Sequence, residues 1–512
     1  MCQPLPLSVL DGCEKQVIVF LLEWLRVWRC LRRKEFAQAL GAAQRRQNTS
    51  AWQLEAYYRL GMYQSAAQAA QRARTDKQWA AAVVAMAACG EHQAVQAALQ
   101  TKRAQALPVV KLIQLAEDLA PFMPETAWQL VQPLGGRAPA ALRMALLLRT
   151  GQQQLAQASV EQLSASQYAQ QPELHLYASM AQPQSSPAQQ LQRLNAFLHS
   201  SHVPPLVLKD PALPPGPGNV AVAEPVQTVQ GPLVSVLVTT YRTGQRAVRA
   251  IESILQQSYR NLEVVVVDDA SGDDTPQLLV QLAQQDARVR VLALPANVGT
   301  YVAKSIGLQA ARGEFVTCHD SDDWSHPCKI ARQVQPLLDE PALVVSISQW
   351  LRMQDDGMFY ARPVHPLMRI NPSSLLFRRE MVLSKAGAWD CVRTGADSEF
   401  YARLRLVFGK KAVRRVLQPL SLGAHRPGSL MTDAVTGYSE QGLSAQRLDY
   451  WESWSRWHIE CLARGKTPYL GLLATQRAFA APQGIVVPAA HMHQAQQALQ
   501  AGTIQIQRAE EA

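Results

Sequence analysis

The sequence contains no CxxC pair. Its eight cysteines are scattered over 512 residues without an even framework, which fits a reducing compartment rather than a disulfide-stapled domain. It also lacks any stretch able to cross a bilayer. The most apolar early run, Val17 to Leu22, is interrupted by Glu23, Arg26 and Arg29 and falls far short of the roughly 20 residues needed. Met1-Cys2-Gln3-Pro4 has neither the basic start nor the cleavage pattern of a secretory signal, so a cytoplasmic location is expected. Acidic residues are the scarcer charge, 40 against 50 basic ones, for a net charge of +10. That excess attracts anionic partners only weakly. The arginines are spread along the chain instead of clustering with aromatics, so nucleic acid is not an expected partner.

What is present divides by composition. Residues from about 15 to 200 are rich in Ala, Gln, Leu and Arg and read as helix throughout. Gly61, Gly90 and Gly151 break this region into hairpins, the first pairing Trp52 to Leu60 with Ser65 to Ala73. The loose recurrence resembles tetratricopeptide-type helical repeats without their full signature, and an irregular helical bundle is the other reading. No catalytic constellation is visible there, so a protein-binding or positioning role is expected. Between 203 and 232 prolines accumulate, Pro214-Pro215-Gly216-Pro217-Gly218 among them, and a linker is expected. From Leu233 apolar runs alternate with helical spacing: Val234 to Val238, Glu263 to Val267, Val289 to Leu294 and Phe315 to Cys318 are the expected strands. Such alternation implies a mainly parallel, three-layer α/β sheet.

The densest chemistry follows the fourth strand, in Cys318-His319-Asp320-Ser321-Asp322-Asp323-Trp324. An Asp-x-Asp continuing the strand would put both acids on one side of the pleat. It would lie at the carboxyl edge, where open α/β sheets bind ligands. Like charges this close need a cation or a hydrogen-bonded ligand, and oxygen donors suit Mg²⁺ or Mn²⁺ shared with substrate phosphates. An acidic turn capping the next helix is the alternative. Cys318, His319, His326 and Cys328 match no common zinc spacing. The first two strands end in Thr239-Thr240-Tyr241 and Asp268-Asp269, so the polar groups converge on one edge.

Several ordered pieces carry a family resemblance: Val-Ser-Val-Leu-Val-Thr-Thr-Tyr at 234–241, Val-Val-Val-Asp-Asp-Ala-Ser at 265–271, and Asn297-Val298-Gly299. They continue with Ala303-Lys304-Ser305-Ile306-Gly307, Ala311-Arg312-Gly313-Glu314, the acidic cluster, and Gly395-Ala396-Asp397. From about Val234 to Met431 the chain resembles the inverting, nucleotide-sugar-dependent glycosyltransferases of family 2. The resemblance implies a GT-A (Rossmann-like) nucleotide-sugar-binding domain preceded by an all-α helical-repeat domain. The expected boundaries are 1–202 for the helical repeats, 203–232 for the linker, 233–435 for the GT-A domain and 436–512 for a C-terminal helical extension.

The resemblance also implies roles. Thr239 and Tyr241 would line a nucleoside pocket, and Asp269 would accept a hydrogen bond from the base. Lys304 would lie near the diphosphate and Asp320 near the ribose and donor sugar. Asp322, with His425 as a further ligand, would hold Mn²⁺ or Mg²⁺, while Asp323 would orient that shell or cap the next helix. Inversion needs a base opposite the leaving nucleotide, and Asp397 and Glu399 are the candidates. Two residues in a helix are ~200° apart, so only one faces the cleft; the resemblance favours Asp397. Family members commonly carry Glu-Asp there, whereas this chain has Ala396. Trp324 would stack on a sugar or sit in the core, and the stretch from Asn371 to Arg379 would line the acceptor side.

After Thr432, Tyr450, Trp451, Trp454 and Trp457 are expected to pack a helical tail, with a membrane-surface role as the alternative. The end from about Ala489 is expected to be loosely ordered. Relatives of this kind imply a donor that is UDP-linked, a glycan or lipid-linked glycan acceptor, and a task in bacterial capsule, lipopolysaccharide or exopolysaccharide synthesis. Further expectations are a protein partner for the N-terminal helices and peripheral association with the inner membrane. A non-catalytic adaptor carrying an inactive transferase-like domain is the rival reading.

Overall fold

The computed structural model describes residues 24–44, 50–429, 437–439 and 442–504. The run 17–22, the resemblance's end at Met431 and the expected boundary at 435/436 lie outside them. Twelve strands of the described residues matter here. A hairpin of β1 (Leu206–Leu208) and β2 (Val220–Val222) precedes β3 (Val234–Thr240), β4 (Leu262–Asp268), β5 (Val289–Ala293) and β6 (Phe315–Asp320). Then come β7 (Trp324–Ser325), β8 (Val345–Met353), β9 (Phe359–Tyr360), β10 (Arg369–Ile370), β11 (Leu376–Arg378) and β12 (Val413–Ala424).

Every residue of β3 and β4 is buried, as expected of central strands covered on both faces and rich in β-branched residues. Helices Gln245–Leu255, Thr275–Gln285 and Thr300–Ala310 supply the crossovers that parallel strands require. The sheet runs β5-β4-β3-β6-β11-β8-β12-β7. Only its first half is uniformly parallel. β11 is antiparallel to both β6 and β8, while β8 and β12 are parallel to each other. The mainly parallel sheet expected from the alternation is therefore a mixed one. Short strands such as β11, three residues long, leave too little periodicity to read.

The N-terminal region is helical, with hairpins such as Ala51–Arg59 with Tyr63–Gln68 and Asp76–Ala88 with His92–Leu99. Gly61, Gly90 and Gly151 lie at the turns with φ of 75°, 80° and 72°, a conformation that glycine enters without a Cβ clash. This region is not a separate body. Its core continues from Val83 and Leu142 through Tyr177 and Phe197 into Leu351 and Met353 of β8 and Leu420 and Leu422 of β12. The partly buried Glu173 carboxylate also accepts the backbone N–H groups of Leu367 and Met368, at 3.1 and 2.9 Å, pinning the loop before β10.

Two expectations from composition change here. The proline-rich stretch carries the β1–β2 hairpin and buries Val203, Leu206 and Val220 in that same core. Its prolines flank the strands rather than interrupt them. Residues 489–504 are ordered: helix Ala489–Gln500 buries Met492 and Ala495, and the Ile504 carbonyl accepts from Ala293 N at 2.8 Å. That bond covers the open edge of β5, which polar composition alone does not reveal.

Candidate active site at the carboxyl edge of the sheet

A cavity of about 550 Å³ opens where β3, β4 and β6 end, and Thr239, Tyr241, Asp269, Lys304, Asp320, Asp322 and Asp397 all line it. Parallel strands deliver these groups together because their carboxyl ends share one edge. Thr239 Oγ1 lies 2.7 Å from Thr300 Oγ1. Asp269 accepts from Val298 N at 2.7 Å, Gly299 N at 2.8 Å and Asn297 Nδ2 at 2.9 Å. Burial outweighs those bonds and pushes its carboxyl up to about 6.

The acidic cluster is not a pleated pair. β6 ends at Asp320, and Ser321-Asp322 form a tight turn closed by Asp323 N donating to Asp320 O at 3.2 Å. The turn, not the strand, carries Asp322 into the cavity. Each carboxylate meets a different environment, which is how three like charges are held so close. Lys304, 2% exposed, places Nζ 3.4 Å from Asp320 Oδ1. Burial alone would lower the lysine, but Asp320 holds it at about 12. Burial likewise opposes ionisation of Asp320, yet Lys304 and the Ser373 hydroxyl keep it below the usual carboxylate range. Asp322 is raised by burial, partly offset by Arg426, whose Nε stands 2.9 Å from its Oδ2. Asp323 is raised much further by burial and by its two acidic neighbours, and its Oδ1 accepts from Ala424 N at 2.9 Å.

His425 does not join this set. Its ring stacks flat on Tyr360, with centroids 3.6 Å apart, and it is absent from the cavity lining. Because β12 alternates its side chains as it ends, the next residue, Arg426, is the one that turns toward the acids. Among the described residues no group of three or more His, Cys, Asp or Glu closes round a point that could hold a metal ion. The metal set Asp322 plus His425 is therefore not assembled.

The helix Ala396–Val407 begins after Gly395, φ 88°, and presents Asp397 to the cavity. The Tyr301 hydroxyl lies near Asp397, whose Oδ1 accepts from Ser398 N at 2.8 Å. Glu399 points the other way and is fully buried, paired with Arg403 at 2.8 Å and His458 at 2.9 Å. Trp324 is a core residue, 4% exposed.

Sequence reasoning missed Arg393, Trp350, Arg352, Arg447, Tyr450 and Trp451, which also line the cavity. Arg393 donates to the Asn297 carbonyl at 3.1 Å; its place two residues before Gly395 was the available signal. Tyr450 and Trp451 come from the helix Ala445–Ala463, which no local motif marks as part of a site. Trp451 ties the helical region to the cavity: its Nε1 donates to Leu60 O at 2.7 Å. A Cβ on Gly61 would stand 2.8 Å from that nitrogen. Gly61→Ala is expected to lower stability by roughly 1–3 kcal/mol through left-handed strain and this clash, read from thermal unfolding.

Residues 235–393 match the family model for Glycosyl transferase family 2. This segment is a family 2 glycosyltransferase domain. The family 2 domain is 38% identical over 128 residues to glycosyltransferase GlyG of Streptococcus pneumoniae, covering 25% of this chain and 42% of that one. It is 36% identical over 157 residues to the succinoglycan biosynthesis protein ExoO of Rhizobium meliloti, covering 29% and 44%. The chain thus matches less than half the length of these relatives. The solved structure of S. aureus TarS 1-349 in complex with UDP-GlcNAc is alike over 38% of this chain and 59% of its own, at 20% identity and a TM-score of 0.32. The GT-A family 2 domain with a helix-rich N-terminal part is the architecture expected from the sequence.

Proposed function

We propose that this chain transfers a sugar from a nucleoside-diphosphate sugar, UDP-linked, to a glycan acceptor with inversion. The task is assembly of bacterial surface polysaccharide on the cytoplasmic side of the membrane. The observation that carries this reading is the convergence of Asp269, Asp322 and Asp397 on one cavity. Thr239 and Tyr241 flank the nucleoside, and Asp269 keeps one acceptor position for the base beside its three backbone and amide bonds. Asp397 takes the proton of the acceptor hydroxyl as that oxygen attacks the anomeric carbon, and the proton ends on the carboxylate. Lys304 and Arg426 offset charge where the diphosphate leaves.

The oxygen donors Asp320 and Asp322 suit a hard divalent ion such as Mn²⁺ or Mg²⁺. Such an ion is commonly bound through one or two carboxylates plus substrate phosphates. Asp322 would hold it, and the donor's phosphates would complete its shell. When bound, the ion would neutralise charge on the departing diphosphate. Asp322→Ala is expected to abolish metal-dependent UDP binding in calorimetry, with the metal-free binding unchanged. Retention of a full metal effect would remove Asp322 from this role. The helical region is proposed as a tetratricopeptide-like repeat unit spanning residues 1–202. Its packing on β8 and β12 supports a positioning role more than that of a tethered adaptor.

A further inference from the structure

Outside the cavity lining, residues 24–32 are helical and present large apolar side chains to solvent. Trp24, Leu25 and Trp28 are 57%, 37% and 43% exposed. Residues 24–34 hold five cations, Arg26, Arg29, Arg32, Arg33 and Lys34, and no acid. At about 100° per residue, Trp24, Trp28 and Leu31 share one narrow arc, and Arg26, Arg29 and Arg33 share the opposite one. Arg32 lies between them, its guanidinium 4.7 Å over the Trp28 ring. All five cations are exposed.

This helix is anchored to the body of the protein. Lys410 Nζ donates to the carbonyl of Lys34 at 2.5 Å. The following helix, Phe36–Gln44, packs on Ala445–Ala463, where Gly41 meets Ile459 and Leu462 closely. The same long helix carries Tyr450 and Trp451 into the cavity wall, so whatever the basic helix grips is fixed relative to the site.

We propose that residues 24–34 dock the protein on an anionic lipid bilayer. Trp24, Leu25 and Trp28 enter the headgroup boundary, Arg32 engages lipid phosphates beside them, and the long arginine side chains of the other arc snorkel to the same phosphates. The chemistry is that of an interfacial amphipathic helix: an aromatic face for the acyl boundary and guanidinium groups at headgroup level. Charge complementarity favours this occupant over a second copy of the chain, because five exposed cations with no acid among residues 24–34 match anionic headgroups, whereas a second copy presents charge of the same sign. The inference does not depend on the transferase reading, since docking needs no nucleotide.

The test is co-sedimentation of the full chain with vesicles of phosphatidylcholine containing one third phosphatidylglycerol, beside pure phosphatidylcholine. Binding to the anionic vesicles is expected to be at least about tenfold tighter and to weaken with salt. Trp24→Ala/Trp28→Ala and Arg29→Glu/Arg33→Glu should each weaken it about tenfold or more, with melting temperature and UDP binding unchanged. Equal binding to neutral and anionic vesicles overturns the proposal. So does wild-type binding by both variants, which would assign the lipid contact to another segment. A fall in oligomeric size on tryptophan removal, with vesicle binding intact, overturns it in favour of self-association.

Discussion

Asp397→Asn is expected to leave nucleotide-sugar binding intact and to slow transfer by about 10²–10⁴. The amide keeps the size of the carboxylate, and its oxygen can still accept from Ser398 N as Asp397 does. It cannot accept the acceptor's proton. Asp397 heads a helix whose other acid, Glu399, is fully buried and engaged, so Glu399 is not poised to substitute. Donor affinity by calorimetry and turnover with a glycan acceptor separate the two effects. Turnover at the wild-type rate would reject the assignment.

Glu399→Ala is expected to have the largest effect on stability, a loss of about 3–5 kcal/mol. Arg403 lies wholly buried, with its Nε and Nη2 on the Glu399 carboxylate at 2.8 Å each and two further donors on the carbonyls of Ala386 and Ala388. Removing Glu399 strands a guanidinium without a counter-charge. Burial alone would raise the Glu399 carboxyl, yet Arg403 and the His458 hydrogen bond bring it down to about 2. His458, itself lowered by burial, stands with its Nε2 2.9 Å from the Glu399 carboxylate. The folded value lies below the ordinary one. The stabilisation is therefore present above about pH 4.5 and lost as pH falls toward 2. Thermal unfolding should show a drop of about 3–5 °C, because the entropy of unfolding scales with chain length. Glu399→Leu/Arg403→Met, which removes both charges, should recover most of it; a double variant as unstable as the single one would refute the ion-pair account.

These two acids show where sequence reading stops. Helical geometry established that Asp397 and Glu399 face apart, but not which one faces the cleft. That depended on Arg403 and on His458, 59 residues away. The acidic cluster was legible as a cluster, because three carboxylates in four residues are conspicuous in any context. Its shape was not: whether the strand runs on through Asp322 or stops at Asp320 depends on the turn bond from Asp323 N. His425 and Arg426 raised the same difficulty at a strand end, where one residue of register exchanges the inward and outward side chains. The aromatics of the long C-terminal helix read as packing residues. Tyr450 does pack, at 2% exposed, yet both it and Trp451 also form the cavity wall.

The alternation of buried β-branched runs with helices, and the polar residues that end those runs, determined the α/β class and the edge at which the acids gather. Both follow from local periodicity and from the geometry of parallel strands. The tertiary structure alone decided that the helical region shares its core with β8 and β12. It alone brought Trp451 under Leu60, Arg426 instead of His425 onto Asp322, and Asp397 instead of Glu399 into the cavity. Those outcomes rest on contacts between residues distant in the chain, whose energies depend on burial and on which partner arrives, and short-range pattern carries neither.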